Sequence, residues 1–63
     1  MTTWTVRVLT EDTNGRNWVA RANVEAHTQL SAESFALADV LNVQHLDPIE
    51  VLSVKRHPSV PRH

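Results

Sequence analysis

The chain has 63 residues, no cysteine, four histidines and a formal net charge of −1. A chain of this length forms one domain and buries only about 60% of the surface that its unfolded form exposes. The lack of cysteine excludes disulfides and cysteine nucleophiles, and the histidines have no zinc-ligand spacing, so we expect no metal or other cofactor. Self-association remains as the way for so small a core to gain stability. No apolar run reaches the ~18 residues of a membrane span, and a basic signal-peptide start is missing, so we expect a cytoplasmic protein.

Two N-terminal segments, residues 3–10 and 17–26, alternate between apolar and polar residues and predict two strands. Gly15 lies in the polar segment between them and favours a hairpin. A three-residue turn over 13–15 pairs Asp12 with Arg16 and keeps the apolar residues of both strands on one face. A two-residue turn would place polar side chains in the apolar row, so we predict the three-residue turn.

The same register brings Arg7 opposite Arg21 on the other face of the sheet. Like charges directly opposite one another destabilise a sheet by a few tenths of a kcal/mol or more. The two guanidinium groups either turn apart into water, close to Glu25 and Glu50, or bind an anion between them, a phosphate or a carboxylate.

A helix is predicted to begin with Ser31 as its N-cap and to run from residue 32 to about 42 or 44. Leu30 and Phe35 have the spacing of a hydrophobic staple around that cap. The "LDP" segment at 46–48 ends the helix, because the residue before a proline avoids helical geometry.

The predicted helix has little polar surface. Its core-facing row is Ala32, Ala36, Val40 and Val43, with Leu37 and Leu41 on one side and Phe35 on the other. Either the fold covers these additional side chains, or they form a contact with another molecule.

Residues 49–56 predict a third strand with apolar residues on both faces, Ile49 and Val51 on one and Leu52 and Val54 on the other. It returns antiparallel to the first strand, which gives an α+β fold: a ββαβ two-layer sandwich over residues 1–57, with strand 1 central. The excess of apolar surface predicts a homodimer or higher oligomer. The expected interface residues are Phe35, Leu37, Leu41, Leu52 and Val54.

Residues 58–63 form a proline-containing tail after the domain. Positive charge concentrates at and before it, because residues 55–63 contain three basic residues and no acid. This segment is either a frayed terminus or a basic arm for an anionic partner. The expected partner-binding or anion-binding residues are Arg7, Arg21, Lys55, Arg56 and Arg62.

No catalytic motif is present, and a single glycine excludes glycine-rich nucleotide loops. We therefore predict no enzymatic activity and no catalytic residues. Two functions remain: a homo-oligomeric module that binds another protein, or a nucleic-acid-binding module that uses Arg7, Arg21 and the basic tail. The acidic body of the chain argues against the second.

In length, composition and lack of cysteine, the whole chain resembles the small accessory proteins of phages and mobile elements in GC-rich bacteria. This resemblance implies a modulator that binds a host or phage protein directly.

Overall fold

The strand order confirms the predicted α+β architecture, with the first strand in the centre of the sheet. The computed structural model describes residues 2–57, so Met1 and the predicted tail, including Arg62, lie outside the described residues. Three strands and one helix form it: β1 (Thr2–Glu11), β2 (Asn17–Ala26), α1 (Gln29–Asn42) and β3 (Asp47–His57). β1 pairs antiparallel with both other strands in the order β2-β1-β3, and α1 packs on one face of this sheet.

The hairpin turn has the predicted three residues. The Asp12 N–H donates to the Arg16 carbonyl oxygen at 2.9 Å, and the Gly15 N–H donates to the Asp12 carbonyl oxygen at 3.0 Å. Gly15 has a φ of 80°, a left-handed conformation that glycine adopts without steric cost. The predicted register follows from this turn, with Val8 opposite Ala20.

The Asp12 carboxylate organises the same turn. Its Oδ1 accepts from the backbone N–H groups of Asn14 and Arg16, and its Oδ2 accepts from the indole Nε1 of Trp18 at 2.8 Å. The hydrogen bond from Trp18 contributes most to lowering the pKa of Asp12 below its ordinary value, followed by the one from Arg16. The ionised carboxylate therefore closes the turn and attaches the start of β2 to it.

The core between helix and sheet is built mainly from small side chains, which let α1 approach the strands closely. Trp4 is buried in this core and donates from its indole Nε1 to the Ala26 carbonyl oxygen at 3.0 Å. The one buried polar side chain in residues 2–57, Thr10, donates to the Trp18 carbonyl oxygen at 2.9 Å. The buried apolar residues are Trp4, Val6, Val8, Ala20, Ala22, Ala26, Ala32, Ala36 and Val40.

The predicted N-cap at Ser31 is wrong. α1 begins three residues earlier, and Thr28 is its N-cap, with Oγ1 accepting from the Ser31 N–H at 3.1 Å. Ser31 is thus inside the first turn, where its hydroxyl accepts from Thr28 Oγ1. The predicted staple is also lost, because Leu30 is helical and 76% exposed.

The helix ends at Asn42, and the prediction that Val43 faces the core is wrong. Val43 is the C-cap and is 68% exposed. His45 then adopts a left-handed conformation with a φ of 56°, and the Leu46 N–H donates to the Val40 carbonyl oxygen at 3.1 Å. This reversal returns the chain to the sheet, so Leu46 packs against the core instead.

β3 does not alternate as predicted, because two β-bulges interrupt it. Its register with β1 passes over Leu52 and Ile49, so Val54 pairs with Val6 and Val51 with Val8. A bulge adds one residue to a strand and shifts every later side chain to the other face. Val51 and Val54 consequently share the core face and pack against it, whereas Leu52 and Ile49 are exposed.

Candidate protein-binding face

The sheet face opposite α1, called here the open face, is not covered by any described element. Alternation places on it the β1 residues that lie between the buried positions, from Thr3 to Glu11. The two cross-strand registers then place β2 and β3 side chains beside them. From one end of the sheet to the other, the rows across β2, β1 and β3 are Glu25–Thr3–His57, Asn23–Thr5–Lys55, Arg21–Arg7–Ser53, Val19–Leu9–Glu50 and Asn17–Glu11–Asp47.

The predicted arginine pair lies at the centre of the open face. Arg7 and Arg21 are directly opposite, and both are exposed. The hydrogen bond from Asp12 to Arg16 closes the hairpin, and hydrogen-bonded pairs alternate from there. Counting back, Arg7 and Arg21 form a non-hydrogen-bonded pair, where Cα atoms are only about 4.5 Å apart and side chains are closest. The two arginine side chains therefore extend from neighbouring positions on the same face of the sheet.

A third cation joins this pair. Lys55 lies opposite Thr5, in the row next to that of Arg7. Arg7 and Lys55 are therefore diagonal neighbours, whose Cα atoms are about 7–8 Å apart in an antiparallel sheet. We call Arg7, Arg21 and Lys55 the cationic cluster. The side chains of all three are exposed.

The structure does not bring Arg56 to this cluster. Its register partner is Trp4, so Arg56 lies on the side of the sheet that carries the helix. Arg62 lies outside the described residues. Of the five predicted anion-binding residues, three share one surface.

Sequence reasoning did not identify the polar group at the next row of the open face. Thr5 Oγ1 donates to Asn23 Oδ1 at 2.8 Å and is 2.6 Å from His57 Nε2. A hydroxyl has one proton, so with that proton on the bond to Asn23 the histidine Nε2 is the donor to Thr5. The hairpin register predicts that Thr5 and Asn23 are neighbours. The position of His57, however, depends on the register of β3, which the sequence does not give.

An apolar strip borders the cationic cluster on its other side. Leu9 is half-buried and Val19 is half-exposed in the row after the arginines. On the β3 side, Leu52 and Ile49 are the two bulge residues, and both are exposed. The open face thus combines positive charge with adjacent apolar surface, whereas a sheet face that only contacts water carries mainly polar side chains.

The five predicted interface residues separate into two groups. Leu37 and Val54 are partly buried and pack against the core, so they contribute to the fold. Phe35, Leu41 and Leu52 are about half-exposed and remain candidates for a contact with another molecule.

Residues 2–57 contain no pocket and no group of three or more metal-ligating side chains. No helix among them is long and apolar enough to cross a membrane.

No family model matches the chain, and no curated protein or solved structure shows significant similarity to it.

Proposed function

We propose that this protein is a small homo-oligomeric interaction module that uses its open face to bind an acidic segment of another protein. The observation that carries the proposal is the cationic cluster, in which Arg7 and Arg21 form a close cross-strand pair with Lys55 diagonal to Arg7. Guanidinium groups bind carboxylates through paired, charge-assisted hydrogen bonds. A bound carboxylate would also relieve the repulsion between the two arginines.

The apolar strip narrows the class of partner. Leu9 and Val19 lie one row from the arginines, so a partner segment with an acidic and an apolar side chain on the same side would contact both surfaces. Partial burial of apolar side chains around a charged contact excludes water and strengthens that contact.

Nucleic acid is the alternative partner, and the composition of the open face argues against it. Modules that bind single strands stack bases on aromatic side chains. The described open face has no tryptophan or phenylalanine side chain: Trp4 and Trp18 alternate onto the helix side of the sheet, where Trp18 lies opposite the buried Thr10, and Phe35 is on α1. Shape-specific binding of a duplex would need a larger basic excess than three cations.

The proposal is tested by fluorescence anisotropy with a short labelled peptide in which glutamate and leucine are two residues apart. We expect saturable binding that Arg7→Gln weakens by roughly tenfold, the value of one charge-assisted hydrogen bond. Arg16→Gln is the matched control, because it removes an exposed arginine of the hairpin turn, away from the cluster. Equal affinities for the two variants would overturn the role of the cluster.

A labelled DNA and RNA mixture, titrated at several salt concentrations, tests the alternative. Binding that falls steeply and log-linearly with salt, without binding of the acidic peptide, would replace the proposal by nucleic-acid recognition. The resemblance to phage accessory proteins suggests bacterial lysate as the source of the partner, with Arg7→Gln and Arg16→Gln proteins as paired baits.

A further inference from the structure

The two edges of the sheet differ in their ability to pair with another strand. β3 is interrupted by bulges at Leu52 and Ile49 and contains Pro48, features that block edge-to-edge pairing. β2 is ten residues long, with no bulge, proline or glycine. A regular edge of this kind is a template for an added strand.

The phase of the hairpin determines which backbone groups β2 presents outward. The Asp12–Arg16 hydrogen bond implies that even-numbered β2 residues bond to β1. The outward N–H and C=O groups therefore belong to Asn17, Val19, Arg21, Asn23 and Glu25. Gln44 supports this assignment, because its Nε2 donates to the outward Arg21 carbonyl oxygen at 3.3 Å. A carbonyl oxygen accepts two hydrogen bonds, so one acceptor position at Arg21 is still open.

We propose that a second copy of this chain pairs antiparallel with the β2 edge, with the two-fold axis at Asn23. The inference deepens the proposed function, and rests on it, because it names the homo-oligomer's interface and register. Arg21 then lies opposite the partner's Glu25, and the symmetry repeats this pair on the other side of the axis. Each pair joins opposite charges across hydrogen-bonded positions, which stabilises an antiparallel sheet.

Charge distinguishes this register from its neighbours. An axis at Arg21 places two copies of that arginine opposite each other, beside Arg7 of both chains, and like charges in that position are destabilising. An axis at Ala22 leaves Arg21 opposite an asparagine and Glu25 opposite a valine, so it forms no directly opposed ion pair. Only the register centred on Asn23 makes the β2 edge complementary to itself in charge.

The helix side of the interface explains one exposed aromatic ring. Asp39 Oδ2 accepts from Gln44 Nε2 at 3.1 Å, and Gln44 also reaches the outer carbonyl of Arg21, so this side of α1 lies along the β2 edge. Phe35 precedes Asp39 by four residues and shares that side. The ring is 53% exposed in the single chain. In the joined sheet both helices lie on one face, with Phe35 between them, whereas Leu41 lies on the opposite side of α1.

A charge-exchange experiment tests the register by analytical ultracentrifugation. Arg21→Glu alone and Glu25→Arg alone each place like charges opposite one another, and we expect dimerisation to weaken at least about tenfold. Mixed together, the two variants form opposite-charge pairs at both positions, and the dimer returns. Arg16→Glu and Glu50→Arg change the net charge equally outside the β2 edge, and each should remain dimeric alone.

A cysteine experiment locates the axis in the native chain, which has no cysteine of its own. Hydrogen-bonded pairs have Cα atoms about 5.5 Å apart, within the range of a disulfide. We expect Asn23→Cys to form a covalent dimer on oxidation, and Asn14→Cys, in the hairpin turn, not to do so. Phe35→Ser should weaken the dimer, and Leu41→Ser should leave it unchanged.

The outcomes separate the inference from the function it rests on. A dimeric mass without cross-linking of Asn23→Cys, or without rescue by mixing, overturns the β2 interface and leaves the homo-oligomer in place. A mass of 7.1 kDa at high concentration overturns both. The peptide-binding measurement is independent of these outcomes, because its variant changes Arg7 on the central strand and not the β2 edge.

Discussion

At the residue scale, Thr28 and Ser31 compete for the same role, and only the folded chain distinguishes them. Both have the hydroxyl that an N-cap needs. The apolar pattern begins at Ala32, so sequence periodicity favours Ser31. β2 ends at Ala26, however, and the helix begins at Gln29, which makes Thr28 the last residue with extended geometry before the helix.

Replacement of Thr28 by alanine should lower the free energy of unfolding by about 1 kcal/mol, because it removes the acceptor for the Ser31 N–H. Ser31→Ala, in the first turn, should cost no more than a few tenths of a kcal/mol. Urea denaturation of both variants measures this difference. A larger loss for Ser31→Ala would return the cap to the position that the sequence favours.

The Asp12 carboxylate makes the hairpin dependent on pH. Its pKa is lower in the folded chain than in the unfolded one, mainly because of the hydrogen bond from Trp18. Its contribution to stability is therefore complete above the unfolded value of about 3.9 and is lost as the pH falls through the lower folded value. Thermal melts should show Asp12→Asn less stable than the parent at neutral pH, with the gap closing in acid. A gap that is constant with pH would contradict this account.

At the scale of elements, the distance between helix and sheet is determined by alanine. Ala32 and Ala36 on α1 face a sheet whose β2 contributes Ala20 and Ala22, and all four are buried. The sequence analysis predicted the helix side of this contact correctly, because Ala32 and Ala36 recur at the helical period.

Ala36→Val should destabilise the protein by about 1–3 kcal/mol, since two extra methyl groups have no space in a close-packed contact. Ala38→Val is the matched control: it makes the same change on the exposed side of α1 and should cost below about 1 kcal/mol, the loss of helix propensity. Chemical denaturation compares the two. Equal losses would mean that the contact has room to spare.

In β3, the alternation of apolar and polar residues did not predict which side chains face the core. In this strand the residues paired with the buried β1 residues Thr10, Val8 and Val6 recur every third residue, at Pro48, Val51 and Val54, because each bulge inserts one exposed residue. A strict period of two therefore assigns Val51 and Val54 to opposite faces. Bulges leave no simple mark in composition, so no counting of apolar residues would have located them.

The bulges predict a contrast between adjacent apolar residues. Val51→Asn should destabilise the protein by about 1–3 kcal/mol, because it sets a polar group against the core. Leu52→Asn, at the exposed bulge, should change stability by less than about 0.5 kcal/mol in the Arg21→Glu background, at a protein concentration where ultracentrifugation shows that variant to be monomeric. Urea denaturation in that background separates fold from interface. The opposite ranking would place Leu52 in the core.

At the scale of the whole molecule, the register of two paired strands could be predicted only where the strands are close together along the chain. β1 and β2 are joined by a short turn, so Gly15 and the apolar pattern determined their register and with it the pairing of Arg7 and Arg21. The β1–β3 register depends on bulges and on the path of α1. The sequence therefore could not predict that Lys55, rather than Arg56, lies on the open face, or that His57 contacts Thr5.

The proposed dimer makes stability depend on concentration. Association that occurs only in the folded state raises the midpoint of thermal unfolding by mass action. We expect the Tm of the parent protein to rise with protein concentration, and the Tm of Arg21→Glu to begin rising only at concentrations at least about tenfold higher. Differential scanning calorimetry over a wide concentration range measures both. A parent Tm that is independent of concentration would contradict self-association.

The central position of β1 also affects how a newly made chain folds. β1 pairs on one side with its immediate successor and on the other with a strand that follows the helix. Closing a long loop costs more conformational entropy than closing a short turn. During synthesis on the ribosome, the hairpin of β1 and β2 can form first. The backbone N–H and C=O groups of β1 that pair with β3 then stay unpaired until β3 has been synthesised. In this interval the nascent chain is most open to aggregation and to the action of chaperones.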